Sequence, residues 1–201
     1  MATLRSKSHN PFRVKFRTRM LLWTACVVAH AGFHAGSAAL AQDAPQEYQV
    51  KAAFLYKFAS FVEWPADAFS QTGGTFVMAV VGDDPFGSNL EKTVNGKTIG
   101  GRKILVRRFK RAGDMKTCHI LFISRSEAGR IPQILDRLGK SSTLTVSDTG
   151  QFLQRGGMIN FIIDDKKVKF EVNPDAAERT KLKISSKLLA IAIRIVKSGS
   201  R

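Results

Sequence analysis

Cysteine is nearly absent: Cys26 and Cys118 are the only two in 201 residues. Histidine is almost as scarce. Of four, only His119 lies beyond the first 41 residues, at the start of the apolar run Cys118–Ile123. A Ser–His hydrolase site or a histidine-rich metal centre therefore has little to be built from. The stretch Gly82–Gly87 reads GDDPFG rather than GxGxxG, and its two carboxylates would repel a pyrophosphate. Internal repeats and low-complexity linkers are lacking. So is an uninterrupted apolar run of the roughly 20 residues that cross a bilayer. These gaps leave the expectation of no metal, no cofactor and no catalytic constellation.

The N-terminus is of a different kind from the rest. Arg5, Lys7, Arg13, Lys15, Arg17 and Arg19 form a basic segment without an acidic residue. Met20–Ala29 is apolar, His30 and His34 keep that run short, and Ala39-Leu40-Ala41 offers small residues before Gln42. This predicts a secretory signal peptide over 1–41, cleaved after Ala41, and an exported protein. Trp23-Thr24-Ala25 before Cys26 makes a poor lipoprotein signal. The remainder, 42–201, is long enough for one domain with its own core. Cys118 would be its only thiol, excluding an internal disulfide, and reads as a small buried hydrophobe. The leader removes six of 32 basic residues and none of the 16 acidic ones, leaving a net charge of +10. Such a protein suits an anionic surface or an acidic partner domain. Its basic residues are scattered, without an aromatic platform, which argues against nucleic acid.

The run Lys51–Phe69 predicts a long helix broken at Trp64-Pro65, since proline lacks an N–H and restricts the residue before it. At 100° per residue Tyr48, Ala52, Leu55, Ala59 and Val62 share a core-facing stripe. Val50, Phe54 and Phe61 form a second apolar stripe. It is either buried in the domain or offered to a partner, together with the Glu63-Trp64 corner. Downstream, Thr75–Val81, Lys103–Val106, Cys118–Ile123 and Thr143–Val146 read as strands, the first and third covered on both faces. Asp84 would cap a helix begun by Pro85, with Leu90 and Val94 inward. Ser126–Leu138 is a helix stopped by Gly139. Met158–Ile163 and Lys167–Val172 form a hairpin whose turn, Asp165-Lys166, lacks the usual glycine. Asn173-Pro174 opens another helix. Ser185 or Ser186 caps a last one, with Leu189, Ala192, Ile193 and Val196 inward. The alternation predicts an α/β fold: an open, mainly parallel sheet sandwiched by helices, with an antiparallel C-terminal hairpin at its edge.

Ligands in such folds bind beyond the carboxyl ends of the strands. Asp83, Asp84, Ser124, Ser147 and Asp148 fall there and are the candidate lining of a small cleft. The Asp83-Asp84 pair resembles that of a metal-binding receiver domain. The third strand, however, ends in Ser124-Arg125, with no aspartate to accept a phosphate, so capping explains Asp84 better.

Six segments in order, KAAFLYKFASFVEWP from Lys51, VVGDDPFG from Val80, CHILFISRSE from Cys118, LTVSD from Leu144, GGMINF from Gly156 and KFEVNPDAAERTKLKISSKLLAIA from Lys169, carry a resemblance. Together they resemble the YfiR family of small periplasmic proteins over about residues 46–196. The resemblance implies a regulator rather than an enzyme. The name-giving member represses an inner-membrane diguanylate cyclase through its periplasmic sensor part, lowering cyclic di-GMP and biofilm formation. The positions it carries over are Glu63-Trp64-Pro65, Asp83-Asp84-Pro85-Phe86, Gly156-Gly157 and Ser185-Ser186-Lys187. Relatives with cysteine pairs differ from this chain, which puts redox control through an internal disulfide in doubt. The expected partner is a membrane diguanylate cyclase or sensor kinase; a homodimer would cover the same helix stripe. The alternative from another class is a periplasmic small-ligand binding protein using the strand-end cleft.

Overall fold

The computed structural model describes residues 43–196; the expected signal peptide and its cleavage site lie outside them. Helix α1, Asp43–Phe61, contains no glycine, and its one proline, Pro45, sits in the first turn where no N–H is missed. It ends at Phe61, three residues before Trp64. Val62–Glu63 (β1) turns extended and pairs antiparallel with Lys183–Ile184 (β9), Val62 opposite Ile184. Pro65 precedes a separate 3₁₀ segment, Ala66–Thr72, closed by Gly73 at φ 60°, so Phe69 lies outside α1.

The remaining elements are, in order, β2 (Phe76–Val81), α2 (Asn89–Val94), β3 (Thr98–Ile99), β4 (Arg102–Phe109), β5 (Ile120–Ile123), α3 (Ile131–Leu138), β6 (Leu144–Ser147), β7 (Ile159–Asp164), β8 (Lys167–Val172), α4 (Pro174–Glu178), α5 (Ser186–Ala190) and β10 (Arg194–Ile195). Apart from β1 and β9, the strands form one sheet in the order β10-β8-β7-β6-β5-β2-β4-β3. Within it, among the described residues, only β7–β8 and β3–β4 pair antiparallel. β2 and β5 are buried along their whole length, as continuous apolar runs require. One face carries Phe76, Met78, Val80, Ile120 and Phe122, covered by α1 and α2; the other carries Val77, Ala79, Leu121 and Ile123, covered by α3. This is the expected helix–sheet–helix sandwich.

Three local expectations are corrected. Pro85 does not begin a helix; α2 starts at Asn89, and Asp84 instead accepts the Phe86 N–H at 2.8 Å in a tight turn. The helix from Ser126 is split into a 3₁₀ segment, Arg125–Arg130, and α3. The last helix stops at Ala190. The chain then goes extended and β10 adds, parallel, to β8, so the hairpin lies one strand in from the sheet edge. Ile193, expected inward, is exposed. The hairpin turn itself dispenses with glycine: Asp165 and Lys166 both adopt positive φ, 48° and 58°, and a six-residue register on either side holds them there.

Candidate functional site

The chain runs from β2 to β4 on one side and then to β5 on the other. The carboxyl ends of β2 and β5 therefore mark the switch point of the sheet. Gly82 leaves β2 at φ +91°. A Cβ there would stand 2.5 Å from Ser126 Oγ and 2.8 Å from Glu127 Cγ, so only glycine allows the two exit loops to touch. Asp83 N–H donates to Ser126 Oγ at 2.9 Å. Phe86, buried, wedges between Tyr48 and Phe122, with ring centroids at 5.3 and 4.8 Å. Glu127 is buried under Arg130, which donates to both its oxygens at 2.8 and 2.7 Å.

Into the neighbouring ends of β5 and β6, α1 lowers a lysine. Lys51 is 0% exposed. Its Nζ donates to Asp148 Oδ2 at 2.5 Å and to Glu47, one turn earlier on the helix. Tyr48 O–H donates to the same Asp148 oxygen at 2.8 Å, and Arg125 Nη2 lies 3.1 Å from it. The ammonium also stands 4.3 Å from the Tyr48 ring centroid. Burial by itself would raise the Asp148 carboxyl. The Lys51 ammonium, the Tyr48 hydroxyl and Arg125 outweigh it and hold Asp148 below the usual carboxylate range. Burial, reinforced by the hydrogen bond and charge of Asp148, pushes the Tyr48 phenol well up. Among the described residues Asp148 Oδ1 is buried without a hydrogen-bond partner, and Oδ2 takes Lys51, Tyr48 and Arg125. Ser147 Oγ donates to Ile123 O at 2.8 Å, and Ser124 N–H to Val81 O at 3.1 Å.

Of the five strand-end candidates, Ser124, Ser147 and the Asp148 side chain are thus interior, the last at 2% exposure. Asp83 is exposed. Asp84 belongs to a different group, its Oδ2 held by Arg108 Nε at 2.6 Å, with Glu91 on the same guanidinium. Chemically, the Asp148 group is a clamp that fastens the amino-terminal half of α1 over the strand ends. Lys51, Glu47, Arg125 and Arg108 were not picked out by the sequence reasoning. Lys51 had a signal: it lies three residues after Tyr48 and four before Leu55, inside the core stripe, with Glu47 at i−4.

The second stripe of α1 is partly covered. Phe54 is half-buried, its ring 5.9, 6.0 and 5.6 Å from those of Phe58, Phe161 and Phe170. Phe61 is half-buried and Val50 is 39% exposed. Trp64 is half-buried with its ring edge-on to Phe76 at 5.0 Å, and Glu63 is exposed. Beside Phe170 lies Ile193, whose N–H donates to Phe170 O at 3.0 Å. Ile191, Ile193 and Ile195 are 58, 47 and 45% exposed. This apolar edge was hidden from sequence reasoning by the helix expected there.

The family described as YfiR/HmsC-like matches residues 48–193. No curated protein sequence matches the chain. Among solved structures, a conserved domain protein of Vibrio cholerae O1 biovar eltor aligns at 12% identity and TM-score 0.47, covering 62% of this chain and 56% of that one. An ABC domain from Streptococcus pneumonia, in complex with L-Trp, aligns at 10% identity with the same TM-score and coverages.

Proposed function

The chain belongs to the YfiR/HmsC-like family, and from that premise we propose that it is a periplasmic regulator that controls an inner-membrane signalling protein. The partner is a diguanylate cyclase or a sensor kinase, met through its periplasmic part. Among the described residues no helix is long and apolar enough to cross a membrane, which suits a protein that acts on a membrane partner from outside the bilayer. The observation that carries the docking surface is the unfinished cover of α1. Val50 is open and Phe54 and Phe61 are half-covered, while the Glu63-Trp64 corner adjoins them in sequence. Aromatic and aliphatic side chains left partly open on a rigid helix are the usual anchors of an interface. A second copy of the chain is the competing cover for the same stripe.

Two substitutions test this. Val50→Glu alters an open position and is expected to leave the thermal melt unchanged while abolishing pull-down on the periplasmic domain of the partner. Phe54→Glu is expected to lower the melting temperature as well, because the ring packs on Phe58, Phe161 and Phe170. A Val50→Glu protein that folds and binds like the wild type removes this stripe from the interface. Sedimentation of both variants separates loss of a homodimer from loss of a heterologous complex.

A further inference from the structure

The molecule's charge is unevenly used. At the amino end of the sheet, opposite the Lys51–Asp148 clamp, a hollow of about 340 Å³ opens between the 3₁₀ segment after Pro65, the turn before β5 and the loop joining α3 to β6. Four cationic side chains line it: Lys116, Arg137, Lys140 and Lys181. Among the described residues Asp67 is its only acidic one, 3.9 Å from Lys181. The wall is otherwise rich in hydroxyls, with Ser70, Thr117, Ser141 and Thr143 among them.

The frame of this hollow is fixed by contacts that leave the charges unspent. Thr117 Oγ1 donates to Gln71 Oε1 at 2.6 Å, tying the turn before β5 to the 3₁₀ segment. Thr143 Oγ1 donates to Cys118 O at 2.7 Å, joining the entries of β5 and β6. Arg137 spends one N–H on Gly113 O at 3.0 Å and keeps the rest of its five donors. Lys116 and Lys140 are exposed, neither in an ion pair among the described residues. A concave cluster of like charges focuses its field and repels itself until a counter-charge enters. Three net positive charges call for an anion of two or more charges, and the hydroxyls of Ser70, Thr117 and Thr143, whose protons go to Asp67 O, Gln71 Oε1 and Cys118 O, are left as acceptors for a ligand that carries donors of its own. A hollow of this size lies in the range that takes a small organic molecule.

We infer that this hollow binds a small, hydroxylated, multivalent anion, such as a polycarboxylate or a sugar phosphate. The site is independent of the docking surface on α1 and lies at the end of the sheet where doubly wound folds do not usually carry ligands.

The test is isothermal titration of the full mature protein with citrate, glucose 6-phosphate and inorganic phosphate, beside flotation with phosphatidylglycerol vesicles. Citrate or glucose 6-phosphate should bind saturably, and the affinity should fall as salt is raised. Lys116→Gln/Lys140→Gln should weaken it roughly tenfold or more. Lys92→Gln/Lys110→Gln removes the same charge elsewhere and should leave affinity unchanged. Lys116 and Lys140 are both exposed, so the double variant folds, and a thermal melt verifies that. Absence of saturable binding by any of the three anions overturns the proposal. Equal weakening in both double variants does so too, since it would mean net charge alone. Binding to vesicles with none to soluble anions would reassign the surface to a lipid headgroup and equally refute a small soluble ligand.

Discussion

Replacing Lys51 by methionine deletes an ammonium while nearly preserving side-chain length. The ammonium is wholly buried, 2.5 Å from a carboxylate that is itself sealed from water. Removing one member of a buried pair costs about 3–5 kcal/mol, because the other charge stays behind without its partner. Tyr48 and Arg125 still reach Asp148 Oδ2, at 2.8 and 3.1 Å, which places the expected loss at the lower end, about 3 kcal/mol. For a domain of this size that lowers the melting temperature by roughly 6–12 °C. Asp148→Asn should also destabilise, and the two changes together should cost clearly less than their sum, since the double variant leaves no full charge unpaired there. Urea titrations monitored by circular dichroism on the four proteins measure this cycle. A pH series adds a control. Asp148 has a depressed pKa in the fold, so its contribution is full above the unfolded value of about 4 and is lost as pH falls through the folded one. The penalty of Lys51→Met should shrink in the same window. A single-variant loss below about 1 kcal/mol, or strict additivity, would refute a clamp that depends on charge.

Cys118 is buried with its thiol pushed up to about 12, chiefly by burial, so maleimide should label the native protein only as fast as it opens. Cys118→Ser should cost about 1–3 kcal/mol in chemical denaturation and Cys118→Ala somewhat less. His119 is stacked between Phe69 and Phe76, with Nδ1 accepting the Val77 N–H at 2.9 Å. Burial above all holds its pKa below the ordinary value, so it contributes stability that is full above the unfolded value of about 6.5 and is lost as pH falls towards the folded one. Denaturation midpoints should therefore decline below about pH 6.5, and a flat profile from there to pH 5 would contradict the burial of a neutral imidazole.

Most of the sheet was legible because its central strands are short apolar runs that only two-sided burial explains, as in FVMAVV and ILFI. What escaped were boundaries set by distant pairing. Val62–Glu63 would continue α1 on local preference, yet Lys183–Ile184, far along the chain, draws them into a strand. Ile193 and Val196 fit a helical stripe as well as a strand, and the open flank of β8 decides for the strand. Asp84 read as a cap because Arg108, its partner, comes from β4. At the candidate site Asp148 was legible from its place after a strand. The role of Lys51 was not, since a lysine on a helix is expected in water until the carboxylate that receives it is seen. The stripe on α1 was legible as apolar, but not how far Phe161 and Phe170 would cover it.

The bond from Lys51 to Asp148 spans 97 residues, and that from Tyr48 spans 100. The helix that opens the domain is therefore fastened by groups made long after it. A growing chain carries α1 past more than half the domain before its carboxylate exists, with an ammonium unmatched and apolar sides uncovered. Closing a loop of that length delays the contact relative to the hairpin of β7 and β8, whose partners are neighbours. The earliest-made of the described elements is then among the last secured, and the interval before it docks is when the chain is most open to proteases, to chaperones and to aggregation.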